Sequence, residues 1–260
     1  MRQKLFEFYD PKDEEIENAW LNGIISFDAN VLLNFYRYSS STNKEFFRVL
    51  DKVNDRVWIP YQVAFEFHSN SLNTIQDQFN AYSEIKELIK EYETKLCSDL
   101  NKYKKHSLIQ IEILKEEIIL AFNDIVIKLN ELQKNHPNYD KVNPIIDKVS
   151  NLFEGKVGNN YSDEELDKIF KDAEGRYDKK IPPGYMDKIK KKNESKIRLY
   201  GDVLVWLQII DYSKQYNKDI IFITDELKED WWDISNGKKI SPRKELIKEF
   251  HNKTGIGSIA

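Results

Sequence analysis

Two short apolar segments, Gly23-Ile24-Ile25-Ser26-Phe27-Asp28 and Ile220-Ile221-Phe222-Ile223-Thr224-Asp225, decide the fold. Each has the continuous apolar character of a strand that is buried on both faces, and each is followed by a carboxylate. A capping box at Thr42 and Glu45 predicts a helix after the first segment, and Arg56-Val57-Trp58-Ile59 is the next strand candidate. This alternation of strands and helices predicts an α/β protein with a parallel sheet.

The composition is typical of a globular protein rather than a disordered or membrane-embedded one. The chain has 260 residues, of which 40% are hydrophobic and 32% charged, and its formal net charge is -4. The overall surface is therefore not strongly basic, and any nucleic-acid contact must come from a local basic patch. The single cysteine, Cys97, excludes an internal disulfide, and the first residues lack the apolar core of a secretory signal. We expect a cytoplasmic protein with no membrane association.

A long helical insertion interrupts the α/β pattern. Residues 62–133 contain no Gly or Pro, and their apolar residues recur at helical spacing. One straight helix of this length would extend ~100 Å, so an antiparallel helical hairpin with its bend near residues 104–107 is predicted. The predicted regions are a discontinuous core at 20–70 and 196–260, a hairpin insertion at 71–155, and a helix with a basic Pro-Pro-Gly loop at 156–195.

Four carboxylates are predicted to meet at one edge of the sheet. Asp28 and Asp225 follow apolar strands, and the carboxyl ends of parallel strands lie on the same edge. Glu66 lies in the second turn of the helix after Pro60, and Asp202 begins the helix that precedes the strand of Asp225. Crowded carboxylates repel each other, and a divalent cation relieves that repulsion. Oxygen ligands favour Mg²⁺ or Mn²⁺ over zinc.

These residues carry a family resemblance. The chain resembles the PIN-like nuclease domain in the order of its four acidic motifs, which are Phe27-Asp28-Ala29-Asn30-Val31-Leu32, Glu66, Gly201-Asp202 and Phe222-Ile223-Thr224-Asp225. Four further segments resemble the large bacterial subgroup that has a helical insert. They are Pro182-Pro183-Gly184-Tyr185-Met186-Asp187, Tyr200-Gly201-Asp202, Thr224-Asp225-Glu226-Leu227-Lys228-Glu229-Asp230-Trp231-Trp232 and Pro242-Arg243-Lys244-Glu245-Leu246.

The resemblance implies a three-layer α/β/α fold with a mostly parallel central sheet, and metal-dependent hydrolysis of phosphodiester bonds. The implied ligands of Mg²⁺ or Mn²⁺ are Asp28, Glu66, Asp202 and Asp225. Thr224 is expected to place its hydroxyl on the attacking water or the scissile phosphate. The subgroup usually has two aspartates after this threonine, whereas this chain has Asp225-Glu226, and Asp225 is expected to be the ligand with Glu226 secondary.

Several residues are candidates for binding the substrate. Asn30 is expected to orient Asp28, and Tyr185 and Asp187 are expected to shape the substrate entrance. The strongest basic patch covers residues 179–198. Phosphate contacts give affinity without reading sequence, and the basic candidates for them are Lys188, Lys191, Arg198 and Arg243.

Two alternatives to a nuclease remain at this point. A haloacid-dehalogenase-type phosphatase also has an Asp after its first strand, but its chemistry needs a second Asp two residues later, where this chain has Asn30. The second alternative is a catalytically inactive PIN-fold interaction protein. Such a protein would dock a partner through its helical hairpin. The hairpin is also expected to mediate self-association, with coiled-coil character. RNA or DNA is the implied target, in a bacterial defence or toxin-like system.

Overall fold

The computed structural model describes residues 1–137, 143–189 and 191–256. Lys190, which belongs to the basic patch, lies outside the described residues. The described residues contain ten α-helices: α1 (Asp13–Asn22), α2 (Ala29–Leu33), α3 (Ser40–Lys52), α4 (Tyr61–Leu100), α5 (Ile111–Lys134), α6 (Pro144–Leu152), α7 (Asp163–Asp178), α8 (Lys196–Leu199), α9 (Gly201–Tyr216) and α10 (Lys244–Thr254). They also contain four strands: β1 (Ile24–Phe27), β2 (Ile220–Ile223), β3 (Trp232–Ser235) and β4 (Lys238–Pro242).

The chain divides into two compact units. The first comprises residues 1–70 and 145–260, and the second comprises residues 71–144. Helix α4 begins in the first unit and continues in the second. Residues 145–195, which the sequence analysis divides between the insertion and a connecting region, belong to the first unit together with both strand segments.

The central sheet is parallel, as predicted, but much smaller than the three-layer prediction requires. Strands β1 and β2 pair in parallel from Ile24 opposite Ile220 to Phe27 opposite Ile223. The strand candidate at residues 56–59 makes only isolated parallel bridges, one from Val57 to Ile25 and one from Ile59 to Val157. Val57 contacts β1, Ile59 contacts the segment at Val157, and Pro60 follows at once. The segment is therefore too short to form a continuous strand pairing with either neighbour.

Helix α3 begins earlier than the capping box predicts. Ser39, not Thr42, is the N-cap, and its hydroxyl accepts a hydrogen bond from the Thr42 amide at 3.1 Å. Ser39 has extended backbone geometry, which lets its side chain reach an amide in the first turn. Glu45 instead pairs with Arg48 at 2.7 Å on the helix surface.

The predicted helical insertion is present in the second unit, as α5 and the part of α4 from Ser71 onwards. The hydroxyl of Tyr82 lies 3.1 Å from Nδ1 of His136, and Lys86 Nζ donates to Gln133 at 2.6 Å. Residues later in α4 thus meet residues earlier in the following segment, which is the arrangement of an antiparallel hairpin. In the described residues, no helix is both long enough and apolar enough to cross a membrane.

A buried ion pair ties α7 to α10 in the first unit. The Arg176 guanidinium binds both carboxylate oxygens of Glu249, each at 2.7 Å, and Trp206 Nε1 on α9 donates to the same carboxylate at 2.9 Å. Burial alone would raise the pKa of Glu249, but the hydrogen bonds and charges of Arg176 and Lys253 outweigh it and lower the pKa to about 2. The charged pair therefore stabilises the packing of three helices.

We expect Glu249→Gln to destabilise the protein by about 2 kcal/mol at pH 7, because the charge-assisted hydrogen bonds are lost. The folded-state pKa is depressed, so this contribution is present above the ordinary pKa of 4.5 and disappears as the pH falls towards about 2. Urea unfolding of both proteins across that range measures it. The exposed Glu154→Gln is the control, and a stability gap that does not narrow at low pH would contradict the assignment.

Candidate functional site

The first carboxylate of the candidate site lies directly after β1. The backbone amide of Asp28 donates to the Ile223 carbonyl at 2.9 Å, so the parallel pairing of β1 and β2 fixes its position. Its Oδ2 accepts hydrogen bonds from the Thr224 hydroxyl at 3.1 Å and from Asn30 Nδ2 at 3.4 Å. Burial, followed by the negative charge of Asp202, raises the pKa of Asp28 to about 6.

Thr224 joins the two strand ends. Its hydroxyl binds Asp28 and also accepts the Glu226 amide at 3.0 Å. In this arrangement Thr224 orients both Asp28 and the turn that follows β2. The hydroxyl is thus engaged with these two protein groups, and its expected contact with water or phosphate stays a prediction.

Glu66 extends from α4 towards the same acids. Gln62, one helical turn earlier, donates its side-chain amide to Glu66 Oε1 at 2.7 Å, and Gln208 on α9 accepts the Gln62 backbone amide at 3.0 Å. Burial, followed by the charges of Asp202 and Asp28, raises the pKa of Glu66 to about 7. The charge of Asp202 acts on both Asp28 and Glu66, so the three acids share one electrostatic environment.

Asp202 occupies the first turn of α9, where glycines permit close approach. A Cβ on Gly201 would lie 2.3 Å from Glu66 Oε1, and a Cβ on Gly184 would lie 2.8 Å from the Cβ of Asp202. Trp231 Nε1 donates to Asp202 Oδ2 at 3.4 Å. Burial raises the pKa of Asp202, although the nearby cations oppose this effect.

The two acids after Thr224 face different surroundings. Asp225 is exposed, and its Oδ2 accepts a hydrogen bond from Asn34 Nδ2 at 3.0 Å. The side chain of Glu226 is only 14% exposed, and its charge contributes to the raised pKa values of Asp28 and Asp202. The structure thus brings Glu226, rather than the expected Asp225, towards the other three acids.

The predicted phosphate contacts divide into those that face the acids and those that do not. Lys188 pairs with Asp178, Arg198 lies 3.9 Å from Glu194, and Arg243 binds Glu245 at 2.6 Å. Lys191 is different, because the charges of Asp202 and Glu66 act on it, and it pairs with buried Asp187 at 2.8 Å. Half-buried Tyr185 begins the short turn Tyr185–Asp187.

Sequence reasoning missed several residues that hold this site together. They are Gln62, Gln208, Lys228 and Asp230. Gln62 was detectable, because a residue four positions before Glu66 lies on the same helix face. Gln208, Lys228 and Asp230 have no signal in the local pattern, since their contacts depend on how separate segments fold together.

The donor set fits a hard divalent cation. Asp28, Glu66, Asp202 and Glu226 offer carboxylate oxygens, and burial raises the pKa of the first three although Lys191 and Lys228 oppose this effect at Asp202. Across residues 1–137, 143–189 and 191–256, no group of three or more His, Cys, Asp or Glu side chains already converges closely enough to hold a metal ion. Binding a cation therefore requires carboxylate side chains to rotate towards one point.

The family of this chain follows from a sequence match. The sequence model of the PIN-like domain family matches residues 24–246, and the chain belongs to that family. PIN-like domains are generally nucleases, typically use divalent metals and bind nucleic acid. No curated protein and no solved structure matches the chain.

We expect Gly201→Ala to preserve the fold but to weaken Mn²⁺ binding by at least about tenfold. The new methyl group meets the flexible end of Glu66, so the carboxyl moves while the backbone stays in place. Isothermal titration with Mn²⁺ and thermal unfolding measure the two effects. Gly175→Ala is the matched control, because no atom lies within 4 Å of its new Cβ and stability should rise by about 0.5–1 kcal/mol. Unchanged Mn²⁺ affinity in Gly201→Ala would contradict the close approach.

Proposed function

We propose that this protein is a metal-dependent nuclease that hydrolyses phosphodiester bonds of RNA or DNA. The observation that carries the proposal is the electrostatic coupling of Asp28, Glu66 and Asp202 where β1, α4 and α9 meet. A structural ion pair would lower the pKa of each acid, whereas the pKa values of Asp28, Glu66 and Asp202 stay raised even with Lys191 and Lys228 nearby. Such an arrangement suits a Mg²⁺ or Mn²⁺ site.

The residues divide into ligands and groups that orient them. Asp28, Glu66, Asp202 and Glu226 would hold the cation, and Asp225 would stay at the rim with Asn34. When bound, the cation lowers the pKa of an attacking water and neutralises charge on the leaving oxygen. Thr224 and Asn30 orient Asp28, Gln62 orients Glu66, and Trp231 orients Asp202. No protein nucleophile is required.

The setting of this activity follows from the bacterial resemblance. We place the protein in a reducing cytoplasm, consistent with its one cysteine, Cys97, and in a defence or toxin-like system. Tyr185 in its turn would border the substrate entrance. Arg198, Lys188 and Arg243 would serve as outer phosphate contacts only after leaving their present carboxylate partners.

We expect purified protein to cleave labelled single-stranded RNA or DNA in Mn²⁺ and to lose cleavage in EDTA. Asp28→Asn should reduce the rate by about 100-fold or more, since the bound cation contributes several kcal/mol of charge stabilisation. Glu226→Gln should reduce it more than Asp225→Asn, because Glu226 faces the other acids. The exposed Asp172→Asn on α7 is the control. Equal rates for wild type and Asp28→Asn would defeat the catalytic proposal.

A second function is favoured by the outer faces of the hairpin. Leu88 and Tyr92 on α4 and Leu120 and Ile127 on α5 are each more than half exposed. Large apolar side chains repeated along helices are typical of association surfaces. We infer that the hairpin mediates a homodimer or binds a partner protein, and a catalytically inactive interaction protein would use the same surface.

We expect light scattering to give a mass that rises towards a dimer with protein concentration. The double variant Leu120→Asp, Ile127→Asp should remain monomeric, because charges on this face oppose burial. Val49→Asp, a similarly exposed apolar position on α3, is the control and should associate like wild type. A wild-type monomer at high concentration would exclude self-association through the hairpin.

A further inference from the structure

Two lysines from separate segments share one buried carboxylate beside the acids. Lys191 Nζ lies 2.8 Å from Asp187 Oδ2, and Lys228 Nζ lies 3.0 Å from Asp187 Oδ1. The side chain of Asp187 is only 7% exposed, whereas those of Lys191 and Lys228 are 30% and 28% exposed. Both ammonium groups are thus held from inside the protein while part of each side chain stays open to solvent.

The turn that carries Asp187 is itself fixed. Gly184, at φ 89°, places the chain in the left-handed region, and the Tyr185–Asp187 turn follows it. Asp230, which is fully buried, accepts the Met186 amide at 3.0 Å with its Oδ2. Two acids, Asp230 and Asp187, therefore connect the segment after β2 to this turn. Their contacts determine where both lysine ammonium groups lie.

The two lysines face the same acids that would hold the cation. The charge of Asp202 acts on both Lys191 and Lys228. Lysine side chains are positively charged at neutral pH. Lys228 also lies 3.0 Å from Glu226 Oε2, which places it at the edge of the acid cluster.

A nucleic-acid backbone needs positive charge at this position. The acids repel phosphate, and a single divalent cation leaves part of the negative charge of four carboxylates unbalanced. An ammonium group has three donors, so a lysine that binds Asp187 retains donors for phosphate oxygen. Lys188, Arg198 and Arg243 pair with Asp178, Glu194 and Glu245, which lie outside the acid cluster. Lys191 and Lys228 differ from them because the charge of Asp202 acts on both.

We propose that Lys191 and Lys228 form a phosphate-binding pair for the nucleic-acid backbone, and that Asp187 is the positioning residue that holds the pair beside the acids. This inference rests on the proposed nuclease function and adds Lys228 as a substrate contact. Asp187 holds both ammonium groups at the edge of the acid cluster, where Lys228 also contacts Glu226 at 3.0 Å. Because both lysines are recessed, a flexible single strand reaches them more readily than a duplex does.

The test measures binding rather than cleavage. A fluorescently labelled single-stranded oligouridylate is titrated in the Asp28→Asn background, so that the probe stays intact, over a series of KCl concentrations. Each phosphate neutralised on a single strand contributes about 0.7 to the slope of log affinity against log salt. Lys191→Gln and Lys228→Gln should each weaken binding about tenfold and lower the slope by about 0.7. Lys228→Arg should keep most of the slope.

Asp187→Asn should lower the slope of log affinity against log salt by more than either single lysine variant does. Without the Asp187 carboxylate, both lysines pair with the acids of the cluster. Lys248→Ala is the matched control, since Lys248 pairs with buried Glu7 at 3.0 Å outside the acid cluster. Circular dichroism checks that each variant is folded. If a glutamine variant does not fold, the salt dependence of Lys228→Arg is compared with that of wild type instead. Unchanged slopes in the lysine variants, tighter binding by Asp187→Asn, or no binding of the probe would each overturn the inference.

The two proposals fail in different ways. If wild-type protein cleaves nucleic acid but the lysine variants keep the wild-type salt slope, the phosphate-binding pair is wrong and the nuclease proposal stands. If the lysine variants have a smaller salt slope but wild type cleaves nucleic acid with none of the metals tested, the two lysines are a binding site and the nuclease proposal is wrong.

Discussion

Crowding of negative charge among partly buried acids is the constraint on which this structure depends. Asp28, Glu66 and Asp202 come from three elements far apart in sequence, and the charge of Asp202 disfavours ionisation of Asp28 and Glu66. Lys191 and Lys228 offset only part of the effect of burial on Asp202, and the neutral donors Thr224 and Gln62 bind the other two acids. Stability is thereby reduced locally, which is common where a protein maintains a site for an ion or a charged substrate.

The small size of the sheet makes helix packing responsible for much of this geometry. The parallel pair β1 and β2 has only four residues in each strand, and it fixes Asp28 and Thr224. Glu66 and Asp202 depend on where α4 and α9 pack, and Gln208 and Gly201 bring those helices close. The Arg176 and Glu249 pair then anchors α9 through Trp206. The site is consequently sensitive to changes in helices that carry no acid themselves.

Much of the fold and part of the site were predictable from local patterns. The parallel pairing and the helical insertion follow from apolar runs and helical periodicity, and the family match confirms the PIN-like resemblance. Two predictions, the N-cap of α3 and the strand at residues 56–59, were wrong. Ser39 replaced Thr42 as the N-cap, and the strand candidate at 56–59 formed only bridges, because neighbouring segments decide which backbone groups are satisfied.

The sequence by itself determined the positions along the chain of the acids that end strands or begin helices, because strand and helix signals are local and periodic. Only the tertiary structure decided which acid after Thr224 faces inwards, since Asp225 and Glu226 have similar chemistry and differ in the neighbours that they meet. It also decided that Lys228 joins Lys191 on Asp187. Contacts between charged side chains of distant segments depend on packing and on the desolvation of each group, and neither is encoded in a local pattern.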